Sequence, residues 1–194
     1  MDKLPRNRAV VFVLVAFCAL TLDLWSKAAA FQAFPLRNGG PWIVDSSWMR
    51  FRLLTSLNEG ALWGMGQGFA WVFALLSVAA VAGIVFWLFV KKAAESLWLT
   101  VSLAFVSGGA IGNLYDRLGL HGITPPGYPA PIKAVRDFLD FQFGGTEQDP
   151  VLDWAIFNVA DICLVTGAVM LMIQSFKAPP EIATQPSGAE APST

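Results

Sequence analysis

The feature that most constrains this chain is Phe69–Val90, a run of 22 residues without one charged side chain. About 20 consecutive apolar residues match the hydrocarbon thickness of a bilayer, so such a run predicts a membrane-crossing helix. Three more runs share the character. Leu97–Tyr115 is uncharged, Ala9–Trp25 holds only Asp23 near its end, and Trp154–Phe176 holds only Asp161. Four transmembrane helices are therefore expected. The whole chain agrees, with 55% hydrophobic and 14% charged residues and a mean hydropathy of +0.55, more apolar than soluble domains. A net charge of −1 gives no reason to expect a nucleic-acid partner. Cys18 and Cys163 both lie in apolar runs and His121 is the single histidine. Neither a disulfide framework nor a Cys/His metal site is expected.

Lys3, Arg6 and Arg8 precede the first run, as in a signal peptide, but no A-x-A-like cleavage site follows it. The run is read as a retained helix. These cations, with Lys91, Lys92 and Lys177, flank the runs closely, whereas the other seven basic residues are spread over two longer connections. Basic residues concentrate on the cytoplasmic side, so both termini are expected in the cytoplasm. Trp25, Trp71 and Trp154 then mark outer helix ends and Trp87 and Trp98 inner ones, with Trp42, Trp48 and Trp63 in the first outer loop. Residues 178–194, rich in Pro, Ala, Ser, Thr and Glu, read as a disordered cytoplasmic tail behind a single domain over 1–177.

A carboxylate inside a membrane-length run costs roughly 2.5 kcal/mol or more and marks a functional site by default. Asp161 is such a group, and Asn158 three residues earlier shares its helical face. At the end of the first run, Asp23 and Lys27 stand at i,i+4 with the acid first. They read either as a snorkelling anchor at the interface or as part of a buried site. In the third run Gly108 and Gly112 permit a close helix approach. Asn113, Asp116 and Arg117 follow at i, i+3 and i+4, on one face if the helix continues. The second run reads as plain lipid-facing structure.

The first outer connection, about 28–68, carries alternating Met49, Phe51 and Leu53 against Arg50 and Arg52, a short half-buried strand. It continues into the glycine-rich stretch 56–68. The second, about Leu118 to Asp153, opens with a Gly- and Pro-rich loop over 119–131 and then brings Asp137 and Asp140. Glu147, Asp149 and Asp153 read as solvated loop acids.

No G-x-S-x-G, H-E-x-x-H or Walker loop is present, which weakens serine, zinc and nucleotide chemistry. What remains is carboxylates near one membrane face with amide and guanidinium neighbours. Two aspartates sharing a proton can activate water and protonate a leaving amine. The competing class is a transporter with a proton- or ion-carrying carboxylate. Against it, the polar residues gather at one face rather than the midplane, and no inverted repeat is visible.

With these residues in view, the chain resembles the bacterial lipoprotein signal peptidase (signal peptidase II) family. Asp23-Leu24-Trp25-Ser26-Lys27, Asn58-Glu59-Gly60-Ala61-Leu62-Trp63-Gly64, Gly108 to Arg117, Val135-Arg136-Asp137-Phe138 and Phe157-Asn158-Val159-Ala160-Asp161 are similar to its blocks, in order, over roughly residues 9–176. The resemblance implies a mainly α integral membrane peptidase of four transmembrane helices. The first outer loop would form a small extracytoplasmic β-cradle, and the second outer loop carries an insertion. It implies an aspartyl endopeptidase of the bacterial inner membrane that removes the signal peptide from diacylglyceryl-modified prolipoproteins before the lipidated cysteine. Asp137 and Asp161 would be the catalytic dyad. Asn58, Gly60, Asn113, Arg117 and Asn158 would hold substrate or dyad, and Asp23, Lys27 and Asp116 would support them. No cofactor or metal is implied. Membrane lipid, a monomeric state and inhibition by globomycin are expected. The chain departs from the family in about ten extra residues between Arg117 and Asp137, which makes Asp140 a rival to Asp137. A lid or rim over the site is expected of this insertion.

Overall fold

The computed structural model describes residues 7–60, 65–94 and 96–176. The expected tail at 178–194 and positions 61–64 of the Asn58–Gly64 block lie outside the described residues. The elements in order are helix α1 (Asn7–Ala33), strands β1 (Val44–Asp45) and β2 (Met49–Asn58), helices α2 (Ala70–Val85) and α3 (Leu97–Arg117), strands β3 (Val135–Phe143) and β4 (Leu152–Asp153), and helix α4 (Val159–Ser175). The last turn of the second apolar run, Phe86–Val90, widens into a π-helical turn. Three helical stretches, Asn7–Ala33, Ala70–Val90 and Leu97–Arg117, are long and apolar enough to cross a membrane. The chain is a multi-pass membrane protein by this measure.

Helix α3 is the central post, packed against α1, α2 and α4. Its glycines are the reason. A Cβ at Gly108 would lie 2.7 Å from the Ala16 carbonyl of α1, one at Gly109 would press on the Ala160 carbonyl of α4, and one at Gly112 would collide with the Asp23 carboxylate. Only hydrogen in those places lets three backbones meet. Away from this end, Phe12, Leu88, Ala94, Leu99, Leu103 and Ala104 form an apolar core, with Phe12 and Phe89 edge to face at 5.5 Å.

Helix α1 stops one residue short of Phe34-Pro35, where proline disfavours helical backbone in the residue before it. Ser96 caps α3 by accepting from the Leu99 N–H. At the end of α4 nearest the sheet, Asn158 is the cap. Its side chain accepts from Asp161 N–H at 3.1 Å, and the Asp161 carboxylate accepts from Asn158 N–H at 3.2 Å. This reciprocal box fixes the helix start. It also corrects two expectations. The helix does not begin at Trp154, because residues 154–158 run extended beside β3. Asn158 therefore stands before the helix, not one turn inside it.

The four strands form one antiparallel sheet in the order β1-β2-β3-β4. Strand β2 pairs with β3 from Met49↔Phe143 to Asn58↔Val135, with an irregularity between Leu53 and Ser56. The expected strand at 48–53 is real but extends to Asn58. Its main partner comes from the second connection, so the cradle is not built by the first loop alone. The 118–134 segment is irregular, as its Gly and Pro content predicts.

Candidate active site

Asp23 and Lys27 of α1, Asn113, Asp116 and Arg117 of α3, and Asn158 and Asp161 of α4 all lie at the end of the helices that meets the sheet. Phe157 explains why the loop acid joins them. Its carbonyl accepts from the Phe138 and Leu139 N–H groups at 3.0 and 2.9 Å, and its own N–H donates to Leu139 O at 3.2 Å. The residue before the α4 cap is thus laced to β3, next to Asp137.

Asp137 accepts from Asn158 Nδ2 at 2.6 Å and from Asn58 Nδ2 at 3.1 Å. Asp161 accepts from Asn113 Nδ2 at 2.9 Å. The three amides have no freedom to turn over. Asn58 Oδ1 accepts from Gly60 N–H, Asn158 Oδ1 from Asp161 N–H, and Asn113 Oδ1 from both Lys27 Nζ and Asn158 Nδ2. With each carbonyl taken by a donor, each amide turns its nitrogen toward a carboxylate, and Asn158 Nδ2 also reaches Asn113 Oδ1.

Behind the amides lies a closed set of charges. Lys27 and Asp23 are fully buried, which overturns the snorkelling reading. Lys27 Nζ spends its donors on Asp23 Oδ2 at 2.8 Å, Asn113 Oδ1 at 2.9 Å and Asp116 Oδ2 at 3.1 Å. Asp23 Oδ1 accepts from Ala160 N–H at 2.8 Å, satisfying a free donor in the first turn of α4. Asp116 also accepts from Arg136, at its backbone N–H (3.0 Å) and at Nε and Nη2 (3.0 and 2.9 Å). Two buried carboxylates face two cations. The set is neutral and holds β3 against α3 one residue before Asp137.

Arg117 donates to Gly60 O at 3.3 Å and stacks over Phe73 at 5.2 Å, with Asp161 and Asp137 among its charge partners. Burial first, and then the charge of Asp161, push the Asp137 carboxyl up to about 7. Like charges that act on each other in this way favour one shared proton.

Asp140 is placed elsewhere. It pairs with Arg52 at 2.7 Å, on the part of the sheet where Arg52 also lies over Trp42 at 4.2 Å. Glu147, expected to be solvated only, is a looser partner of Arg52 at 3.6 Å.

The carboxylates open on a cavity of about 1150 Å³. Asn58, Gly60, Asn113, Arg117, Asp137 and Asp161 supply its polar end, and its walls are apolar, the usual composition of a ligand site. Two walls were not foreseen. Phe73, Leu76, Ser77 and Ala80 come from α2, so that helix is not plain lipid-facing structure. The other wall is Phe141, Phe143, Leu152 and the extended 154–157 stretch, where Phe51, Phe141 and Phe157 stack at 4.5 and 5.7 Å. None of residues 118–134 lines the cavity, whose nearest lining residue in sequence is Val135.

Two solved bacterial membrane enzymes, determined by the in meso method at 2.3 and 1.9 Å, superpose with TM-scores of 0.67 and 0.64. They cover 92% and 87% of this chain, and 94% of each of theirs, at 21% and 23% identity. This likeness shows a shared fold, that of a helical membrane protein with a small sheet at one end. In sequence, the lipoprotein signal peptidase of Rhodopirellula baltica is 43% identical over 175 residues, 89% of this chain and 74% of its own. That of Mycobacterium tuberculosis is 34% identical over 172 residues (88% and 73%), and that of Geobacillus thermodenitrificans 31% over 169 residues (87% and 91%). The profile described as signal peptidase (SPase) II matches residues 15–177, and the chain belongs to that membrane peptidase family.

Proposed function

We propose that this protein is an aspartyl endopeptidase that removes the signal peptide from diacylglyceryl-modified prolipoproteins, cutting before the lipidated cysteine, with Asp137 and Asp161 as its catalytic dyad. The observation that carries the reading is the convergence of these two carboxylates, each held by amide donors, at the polar end of an otherwise apolar cavity. An apolar trough suits a signal helix and acyl chains. A pair of acids at its end suits hydrolysis of the peptide bond between the signal helix and the lipidated cysteine.

The dyad carries one proton, on Asp137, which burial and Asp161 keep protonated near neutrality. Ionised Asp161 takes a proton from water as its oxygen bonds to the scissile carbonyl carbon, while Asp137 donates to the carbonyl oxygen. Collapse of the tetrahedral intermediate breaks the C–N bond. The leaving nitrogen takes the proton from Asp161, and the hydroxyl proton returns to Asp137, leaving a carboxyl terminus on the signal peptide and a free amine on the cysteine. Arg117 offsets the charge of the singly protonated pair and, with the Gly60 carbonyl, lines the place where a substrate backbone would lie. Asn58, Asn113 and Asn158 hold the acids, and Lys27, Asp23 and Asp116 hold the amides and β3.

In this reading α4 is a fourth span. Its 17 residues reach about 26 Å at 1.5 Å per residue, and the extended 154–158 stretch completes the crossing. Both termini lie in the cytoplasm of a bacterium and the dyad lies near the outer face of its inner membrane. The protein acts as a monomer and globomycin occupies the cavity. The test is a gel-shift cleavage assay of purified protein on a lipidated prolipoprotein, with and without globomycin. Cleavage that globomycin blocks is expected, and no cleavage would overturn the proposal.

A further inference from the structure

The insertion remains without a task, since it does not touch the cavity. Its single histidine makes hydrogen bonds both within it and to the residue before β3. His121 accepts from the Ile123 N–H at Nδ1, 3.0 Å away, and lies 3.2 Å from the Ala134 carbonyl at Nε2. One nitrogen must be bare to accept and the other must carry hydrogen to donate, so the two bonds together specify the neutral Nε2–H tautomer. The Ile132 N–H donates to Ile123 O at 3.0 Å, closing the base of the insertion, and the Gly119 N–H donates to Asp116 O at 2.8 Å.

Ala134 is fully buried and directly precedes β3. Two residues on, Arg136 is gripped by Asp116, and one more residue brings Asp137. The start of β3 is therefore held from three directions: by β2 through Asn58↔Val135 and Ser56↔Asp137, by Asp116, and by His121. The first two holds use residues of the family's blocks. The third belongs to the inserted segment.

We propose that His121 is a positioning residue for the peptidase reaction: its neutral ring, held between the Ile123 N–H and the Ala134 carbonyl, ties the 119–131 insertion to Ala134 and thereby fixes the β3 segment that presents Asp137. The inference rests on the peptidase reading above. Protonation would place hydrogen on Nδ1, facing the Ile123 N–H, and one of the two ties would break. The charged groups facing the ring are Asp116, which favours the cation, and Arg136, which opposes it. Burial outweighs both and pushes the His121 ring below the usual histidine value. The bond from the Ile123 N–H to the ring is therefore intact above about pH 6.5, the ordinary histidine value, and is lost as pH falls through the lowered one, which leaves the ring held at Ala134 alone.

Because His121 is the only histidine in the chain, its ring can be read directly. The experiment uses the full-length protein, without a polyhistidine tag, labelled with 15N-histidine in detergent micelles. The expected spectrum has one protonated and one bare ring nitrogen at pH 7, the protonated one being Nε2, with titration below the free-histidine value. In parallel, cleavage of the lipidated prolipoprotein is followed against pH for wild type, His121→Ala and His121→Asn. His121→Ala should lose about tenfold in kcat with KM little changed, the scale of a displaced catalytic group. His121→Asn keeps an acceptor for Ile123 and does not titrate. It should recover most of the plateau and lose part of the acid-side fall in rate. An Nδ1–H tautomer or a freely titrating ring would overturn the inference, as would wild-type kcat and pH profile in His121→Ala. Absence of cleavage by the wild type would instead remove the peptidase reading, while the spectrum would still report on the tie.

Discussion

Replacing Lys27 by methionine keeps most of the length of the side chain and removes one charge from a closed set. The ammonium sits 2.8 Å from Asp23, 3.1 Å from Asp116 and 2.9 Å from Asn113, with both ion-pair partners fully buried. Without it, Arg136 alone faces two buried carboxylates. Breaking a buried ion pair from one side costs about 3–5 kcal/mol, because the partner stays charged and out of water. An exposed pair of the same residues would contribute about 0–1 kcal/mol. The lower of the two buried values already shifts the unfolding equilibrium more than about 100-fold. The assay is SDS titration in mixed micelles followed by tryptophan fluorescence, for which the chain offers eight indoles. Asp23→Asn combined with Lys27→Met should be less destabilised than the sum of the single changes, by about 0.5–3 kcal/mol of coupling. A Lys27→Met protein within about 1 kcal/mol of wild type would refute the buried arrangement and restore the snorkelling one.

Other outcomes follow from neighbouring contacts. Gly112→Ala drives a methyl group into the Asp23 carboxylate and within 3.5 Å of Ala160 Cβ. It should cost about 1–3 kcal/mol in the same titration, whereas Gly83→Ala, with nothing near its Cβ, should cost nothing. Asp137, raised from 3.8 to about 7, favours the protonated form on folding. Its contribution to stability is complete below about pH 4 and is lost as pH rises through about 7. Cleavage by the free enzyme should fall on the alkaline side near the same value, and a rate flat to about pH 9 would contradict the shared proton. Asp140→Asn removes the charge facing Arg52 but touches neither the cavity nor the amides. It should cleave within about threefold of wild type in the gel-shift assay, and a loss as deep as that of Asp137→Asn would move the dyad.

How much of this was legible in the sequence depends on whether a residue acts locally. The first three apolar runs, the glycines before Asn113 and the i,i+3,i+4 cluster are local, and they fall where expected. The α4 start had a local signal too: Asn158-x-x-Asp161 has capping-box spacing. It was hidden by the apolar residues from Trp154 onward, which extend the run but lie flat against β3. Strand β3 also carried its signal, Leu139, Phe141 and Phe143 alternating with Asp140 and Gln142. The burial of Lys27 had none, since nothing near it in sequence names Asn113 and Asp116 as partners. The cavity wall on α2 is equally non-local. An apolar helix facing a trough has the same composition as one facing lipid.

In the proposed reaction Asp137 and Asp161 act as a pair. Single substitutions, Asp137→Asn and Asp161→Asn, are assayed on a lipidated prolipoprotein by gel shift, with membrane insertion and SDS stability measured on the same preparations. Each variant should remain in the membrane, folded, and lose at least about 10³-fold in cleavage, as removal of a member of an acid–base pair requires. Cleavage by either variant at the wild-type rate would contradict the account.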